Sequence, residues 1–488
     1  MKKDDIFFEA MKTRDSRFDG KFFVGVKTTG IYCRPICPAK PKRENVEFFA
    51  NRLHAEKAGY RPCLRCRPES APMSAAWIGK SAVVNRALKV LNSHEALSFN
   101  EDEFAEKFGV SARHLRRLFM DEIGKTPKQL SFENRLNLAR KLIVETALPI
   151  NEIVFASGFD STRRFNDAFK ERFKKAPREI RRNKVANHEG IKVLIPYRPP
   201  FDFTGLMRVY ESHRVGDLEW FHDGKMHRHV SINGKHGTVA ISDLPEKSSL
   251  LVEINVPDTT MIHPIITRVR NLFDLDSDPL LIANVLESDK SIAKLLKEYP
   301  GIRLLSGWDP FEISISAILG QLVSVEFGRQ LVHDLIDIAG QDSGIIRDGK
   351  AIKLFPTPEQ ILKADLTKLK TTGNRKQTLV NFSKAVATGQ VSLEPTQDVE
   401  EFMKNILSIK GIGPWTAQYI ALKVLRSTDT FPASDLILAR ALEKHSPKVL
   451  ESMRPWRGYV AALFWRAYTV SLKKKNMRKK NGSRSKKV

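Results

Sequence analysis

The alternation of hydrophobic and polar positions changes rhythm several times along the chain. Near the N-terminus two short apolar runs, Phe22–Val26 and Val46–Phe49, have the length and flanking residues of strands. From about 80 to 185 apolar residues recur at helical spacing, with serines where helices should start. The segment GIKVLIPYRPP, with Pro196, Pro199 and Pro200, marks a linker or an entering strand. VLIPY, TVAISDL and SLLVEINV read as strands of a β-rich stretch from 193 to about 265, and helical rhythm returns from about 265 to 472. The apolar run Tyr459–Val470 is broken by Arg466, and no stretch reaches the roughly 20 residues of a membrane span. MKKDDIFFEAMKTRD has no apolar leader region, so a cytoplasmic protein without membrane partners is expected.

The 488 residues, 42% of them hydrophobic, provide for roughly three to four packed domains and exclude a mainly disordered chain. The net charge of +25 is uneven: +8 over residues 1–80, +6 over 81–190, +2 over 191–472 and +9 over 473–488. Such an excess points toward a polyanion. The tail KKKNMRKKNGSRSKK repels itself and is expected to be disordered, either lying along phosphates or merely solubilising the chain.

All four cysteines, Cys33, Cys37, Cys63 and Cys66, form a C-x3-C and a C-x2-C pair 25 residues apart. In a cytoplasmic protein this favours metal over disulfides, and one zinc ion with four thiolates is the natural occupant. A redox disulfide is the alternative. The absence of cysteine beyond 66 excludes a cysteine-ligated iron–sulfur cluster in the C-terminal half.

Two helix-turn-helix patterns follow. FNEDEFAEKF leads through Gly109-Val110 to a helix starting at Ser111, and INEIVFAS leads through Gly158-Phe159 to one starting at Ser161. Arg113, Arg116 and Arg117 on one second helix, and Arg163 and Arg164 on the other, supply cations for base edges and phosphates. The intervening helix Lys128–Thr146, 19 residues or about 28 Å, suits two recognition helices one DNA turn apart. One such unit alone would read as an ordinary helical bundle; the tandem favours DNA.

GFDSTRRFNDAFKERFKKAPREIRR resembles the second half of the AraC-type DNA-binding domain, and TTGIYCRPICPAKPKRENVEFFANRLHAEKAGYRPCLRCRP is similar to the zinc domain of the bacterial adaptive-response Ada family. The resemblance implies that Cys33 takes a methyl group from a methylphosphotriester in DNA, with Thr29, Lys40 and Arg61 at the phosphate. Lys40 stands where that family is expected to have arginine, which would exchange a bidentate fork for a point charge. Read without the resemblance, the cysteines form a structural zinc site with Cys33 inert. No Pro-Cys-His-Arg motif follows, so the family's O-alkylguanine transferase domain is missing.

In NILSIKGIGPWTAQYIALKVL, Gly411 and Gly413 sit between two amphipathic helices, where the backbone can turn sharply and offer N–H groups to a phosphate. Asp435 follows in FPASDLILARAL at a predicted helix start, where a plain N-cap is the ordinary reading. Together with AILGQLVSV and RPWRGYVAALFW, these segments resemble the helix-hairpin-helix DNA glycosylase superfamily, of the bacterial 3-methyladenine glycosylase II type, across roughly 195–472. The resemblance implies Asp435 as catalytic carboxylate, Gln321 and Leu322 as the wedge filling the gap of a flipped nucleotide, and Trp415, Tyr419 and Trp465 as base pocket. It also suggests a monovalent cation at the hairpin. Without it, the aromatics would read as core. Bifunctional relatives carry a lysine at the position of Trp415, so a monofunctional enzyme without lyase activity is expected.

The expected architecture is multidomain α+β. A zinc-stapled α/β domain at 1–75 precedes an all-α tandem helix-turn-helix domain at 80–185. A β-rich, TBP-like subdomain at 191–300, an all-α helix-hairpin-helix domain at 301–472 and a tail at 473–488 follow. The expected function is an alkylation-damage response protein that joins a methyl-accepting activator to a glycosylase. It would act on double-stranded DNA as a monomer, with RNA polymerase as a further partner. The alternative is a pure transcription regulator with a non-catalytic glycosylase-like module.

Overall fold

The structure, a computed structural model, describes residues 3–14, 18, 22–49, 54–55, 58–63, 66, 83–84, 86–88, 90–91, 100–181, 191–394, 397, 399–443 and 447–484. The chain forms two compact units, Met1–Glu133 and Asn134–Val488.

In the first unit, helix α1 (Lys3–Lys12) precedes a small sheet of β1 (Phe23–Val26), β2 (Ile31–Cys33), β3 (Val46–Phe49) and β4 (Arg61–Pro62), in the order β3-β1-β2-β4. Phe7 stacks on Phe22 at 4.1 Å, and Phe48 meets both ring edges. Helices α2 (Glu101–Glu106) and α3 (Ala112–Ile123) follow, and the His114 N–H donates to Ser111 Oγ at 3.3 Å, as a serine cap should. Gly109, at φ +67, takes the left-handed turn between them.

The unit boundary falls inside α4 (Pro127–Glu145), within the stretch expected to fold as one tandem domain. The physical reason lies in the cores. Helices α5 (Ile150–Ala156) and α6 (Thr162–Phe173) bury Ile153, Phe165 and Phe169 in one cluster with Val193, Val252 and Ile265 of the sheet that follows. That antiparallel sheet comprises β5 (Ile191–Pro196), β6 (Glu219–His222), β7 (Lys225–Ile232), β8 (Lys235–Leu244) and β9 (Ser249–Asn255), ordered β5-β9-β8-β7-β6. Helix α7 (Ile262–Leu272) covers its apolar face through Ile262, Ile265 and Val269.

Among the described residues, the remaining regular structure is helical with one exception. The hairpin β10 (Asp342–Arg347)–β11 (Lys350–Lys353) turns at Asp348-Gly349, both at positive φ. Asp-Gly is a strong signal for a two-residue turn, as are Asp223-Gly224 and Asn233-Gly234, which close the β6–β7 and β7–β8 hairpins. A second core joins α8 (Pro310–Leu319), α9 (Val325–Ala339), α10 (Gly373–Ala387), α11 (Val399–Leu407) and α12 (Pro414–Lys423). A third joins α13 (Leu436–Leu442) and α14 (Arg457–Arg484). Residues 473–484, expected as a disordered tail, continue the backbone of α14, and 485–488 lie outside the described residues. Extending an anchored helix needs no new nucleus, and Lys and Arg are good helix formers, which outweighs their mutual repulsion. No described helix is long and apolar enough to cross a membrane.

Where sheet and helices meet, the buried Arg228 guanidinium donates to Glu219 and, at 2.5 Å, to Glu312. Burial pushes the Glu312 carboxyl up to about 7 against the pull of Arg228. A carboxyl raised on folding binds more protons folded than unfolded, so stability falls as pH rises from about 4.5 to 7. Denaturant melts at pH 5 and pH 7.5 should show the native chain losing more stability across this window than Glu312→Gln.

Candidate functional site

The Sγ atoms of Cys33, Cys37, Cys63 and Cys66 all lie within 4.8 Å of one another, and none is in a disulfide. Thiolates about 2.3 Å from one tetrahedral ion stand roughly 3.8 Å apart, so the set fits zinc. These four residues are the ligand set of one zinc ion. Local structure explains the convergence. Cys33 ends β2, the Cys63 N–H donates to the Tyr32 carbonyl at 3.0 Å, and the Cys37 N–H closes a turn onto the Arg34 carbonyl. Cys33 and Cys37 are buried, whereas Cys63 and Cys66 are half-buried. The thiols perturb one another strongly: hydrogen bonding between Cys33 and Cys37 pulls Cys37 down to about 2 and pushes Cys33 up. Sequence reasoning missed Arg34, whose backbone N–H donates to Cys66 Sγ at 3.3 Å and whose guanidinium reaches the Cys66 carbonyl.

Thr29, Lys40 and Arg61 are all exposed on the same unit. Pairing of β2 with β4 sets Arg61 opposite Ile31, and its N–H donates to the Gly30 carbonyl, so Thr29 and Arg61 flank one strand end. Another missed residue, Arg14, donates to the Pro38 carbonyl and to the Glu122 carbonyl at the end of α3. On α3, Arg113, Arg116 and Arg117 are exposed, but Arg116 pairs with Glu101 at 2.9 Å and Arg117 donates to His114. Arg163 and Arg164 are exposed at the start of α6.

In the second unit Asp435 caps α13, as the ordinary reading supposed. Its Oδ1 accepts the N–H groups of Ile437 and Leu438 at 3.0 and 3.1 Å. The same carboxylate also accepts two indole N–H groups, Trp465 on Oδ1 at 3.1 Å and Trp415 on Oδ2 at 3.0 Å. Trp415 and Tyr419, four residues apart on α12, stack at 5.3 Å, and Tyr419 meets Trp465 edge-on at 6.0 Å. The expected carboxylate and aromatics therefore form one continuous cluster. Burial first, then the Asp435 charge, pushes the Tyr419 hydroxyl up to about 12. Lys423, one turn further along the same α12 stripe, was missed although its spacing was visible. Its Nζ lies 5.7 Å from the Tyr419 ring and 5.8 Å from Trp465, and donates to the Leu305 carbonyl. Burial brings this amine down to about 8.

The hairpin glycines differ in what they require. Gly411 sits at φ +100, and a Cβ there would fall 1.9 Å from Thr378 Oγ1. Gly413 caps α12 with open space around it. Leu322, after α8, is fully exposed and held at φ +53, a left-handed pose costing about 1–2 kcal/mol for an L-residue. Gln321 does not share that exposure: its amide donates to Thr416 Oγ1 at 2.7 Å and to the Gly411 carbonyl at 3.5 Å. Of the two expected wedge residues, Leu322 is thus fully exposed while Gln321 is tied back to the hairpin.

Three stretches match described families: residues 7–69 the metal binding domain of Ada, 104–183 a helix-turn-helix domain, and 192–309 the AlkA N-terminal domain. Over 478 residues, 94% of this chain and 95% of the relative, it is 31% identical to the probable bifunctional transcriptional activator/DNA repair enzyme AlkA of Mycobacterium tuberculosis. The chain belongs to that bifunctional activator/DNA repair AlkA family. This AlkA-family chain is also 27% identical to DNA-3-methyladenine glycosylase 2 of Escherichia coli, over 55% of its own length and 95% of the relative. It is 39% identical to the bifunctional transcriptional activator/DNA repair enzyme Ada of Escherichia coli, over 26% of its length and 34% of the relative. Along this chain the Ada metal-binding match, the helix-turn-helix match and the AlkA N-terminal match follow one another in that order.

Metal analysis of the purified chain should find one zinc per molecule. Cys37→Ser, which removes one of four thiolates, should lower that content at least about tenfold at equal protein concentration. Full zinc retention in this variant would contradict the ligand set.

Proposed function

We propose that this chain excises alkylated purines, 3-methyladenine among them, from double-stranded DNA, and that Cys33 separately accepts methyl groups from DNA methylphosphotriesters to activate transcription. The observation that carries the first part is Asp435, a carboxylate bonded directly into the Trp415–Tyr419–Trp465 cluster.

Breaking the bond between C1′ and the base nitrogen leaves positive charge on the sugar, while the electron pair departs with the base. A fixed anion beside C1′ stabilises that charge. Asp435 is suited to this task because four N–H donors hold its carboxylate in one orientation. Its role in this reading is electrostatic. Among the described residues Oδ2 accepts only the Trp415 indole, leaving it the freer oxygen to face the sugar. Water adds to C1′ and releases its proton to solvent. An alkylated purine is already cationic, which favours stacking on electron-rich rings and makes it a good leaving group without a strong general acid. No amine stands at the Trp415 position, and Lys423 is engaged with the Leu305 carbonyl and two aromatic faces, so no Schiff base forms and the enzyme is monofunctional.

For the sensor, zinc when bound keeps the four sulfurs as thiolates at neutral pH. The Cys33 sulfur attacks the methyl carbon, the carbon–oxygen bond breaks, and an ordinary phosphodiester leaves as the anion. The sulfur becomes a thioether, the formal charge of the site falls from −2 to −1, and repulsion from DNA phosphate weakens. Thr29, Lys40 and Arg61 would hold the phosphate. The exposed arginines of α3 and α6 would bind promoter DNA, with RNA polymerase as the partner that activation implies.

Asp435→Asn should reduce release of 3-methyladenine from methylated duplex DNA by at least about a hundredfold while leaving its zinc content and methyl uptake intact. Unchanged base release would sink the role given to Asp435. Borohydride treatment during turnover should trap no protein–DNA adduct.

A further inference from the structure

We propose that Arg375 is the positioning residue for the wedge, acting through the backbone of Gln321. This inference rests on the excision reading above. The problem it solves is the pose of Leu322, an apolar side chain pushed fully into solvent on a left-handed backbone. Nothing intrinsic to leucine favours that arrangement, so its surroundings must impose it.

Two restraints converge on the preceding residue. The Gln321 side chain is tied to Thr416 on α12 and to the Gly411 carbonyl of the hairpin. From the opposite direction Arg375, near the start of α10, donates one arm of its guanidinium to the Gln321 carbonyl and the other to Thr371 Oγ1 at 2.7 Å. The Gln321 carbonyl belongs to the peptide plane that joins Gln321 to Leu322. Holding that oxygen fixes the plane from which the φ of Leu322 is measured. The side-chain amide anchors the residue, and Arg375 sets the direction in which the next one leaves it. A guanidinium can serve two acceptors at a fixed angle, which an ammonium cannot reproduce.

The wedge is therefore ordered before DNA arrives, and binding need not order it. Its benefit depends on the substrate. Extruding a base from a stacked pair is costly, and a filled gap offsets that cost; a lesion with no partner is already easier to extrude. Losing Arg375 should penalise the first case selectively, whereas damage to the pocket would penalise both.

The test uses the full chain under single-turnover conditions on two duplexes, one with 7-methylguanine paired to cytosine and one with it opposite an abasic site. Arg375→Ala should slow excision from the pair by about tenfold or more and from the unpaired lesion by less than about threefold. Arg375→Lys should fall between. The surface variant Leu322→Ala, which leaves every core contact in place, should show the same selectivity, and adding Arg375→Ala to it should cost nothing further on the paired substrate. Equal losses on both duplexes, or an additive double variant, would overturn the proposal. If the native chain releases base from neither duplex, the excision reading itself fails, which is a different result.

Discussion

A carboxylate set among tryptophan and tyrosine rings survives only if its charge is met, and at Asp435 four N–H groups from three places meet it. Two come from the first turn of α13, one from Trp415 on α12 and one from Trp465 on α14. Removing any indole would leave the anion partly unsatisfied, and removing the anion would leave two indole N–H groups without their acceptor. The helices that carry the pocket are thereby pinned to one group. The aromatic stack and the half-buried Lys423 are laid out around it. One carboxylate both caps α13 and bonds the aromatic cluster, so the two readings of Asp435 are not exclusive.

The other cluster follows a different logic. At the cysteines the restraint comes from backbone geometry: a strand end and a tight turn bring four sulfurs within reach of one ion. Under the proposed methyl transfer, a sulfur that becomes a thioether has no route back, so that site would be spent by one event, whereas a pocket that only stabilises charge could turn over. The charge distribution agrees with that division of labour. Residues 1–190 carry +14, and residues 191–472 carry only +2. Under the proposed reading, the second stretch would hold DNA mainly through shape, backbone amides and stacking.

Much of this was legible in the sequence because it depended on residue identity at short spacing. Four cysteines in two close pairs, serine caps at 111 and 161, and Trp415 four residues before Tyr419 each report a local geometry. What escaped depended on long-range contact or on rules left unused. Arg34, Arg14 and Arg375 matter through carbonyls or a sulfur elsewhere in the fold, and nothing in their neighbourhoods announces it. The β10–β11 hairpin carried a readable Asp-Gly turn that helical rhythm on either side obscured. The bonds of the Gln321 amide to Thr416 and the Gly411 carbonyl likewise join positions about 90 residues apart, which no local pattern reports. Helices α5 and α6 bury their phenylalanines with the sheet that follows, a partner no local pattern reveals.

The central claim is that one chain holds a single-use sulfur and a reusable pocket. One time course on methylated duplex DNA tests it, counting methyl groups on the protein by mass spectrometry and free methylated bases in solution. The account predicts that protein methylation stops at one equivalent, on Cys33, while base release continues linearly through many equivalents. Base release that halts at one equivalent, or protein that gains no methyl at Cys33, would contradict it.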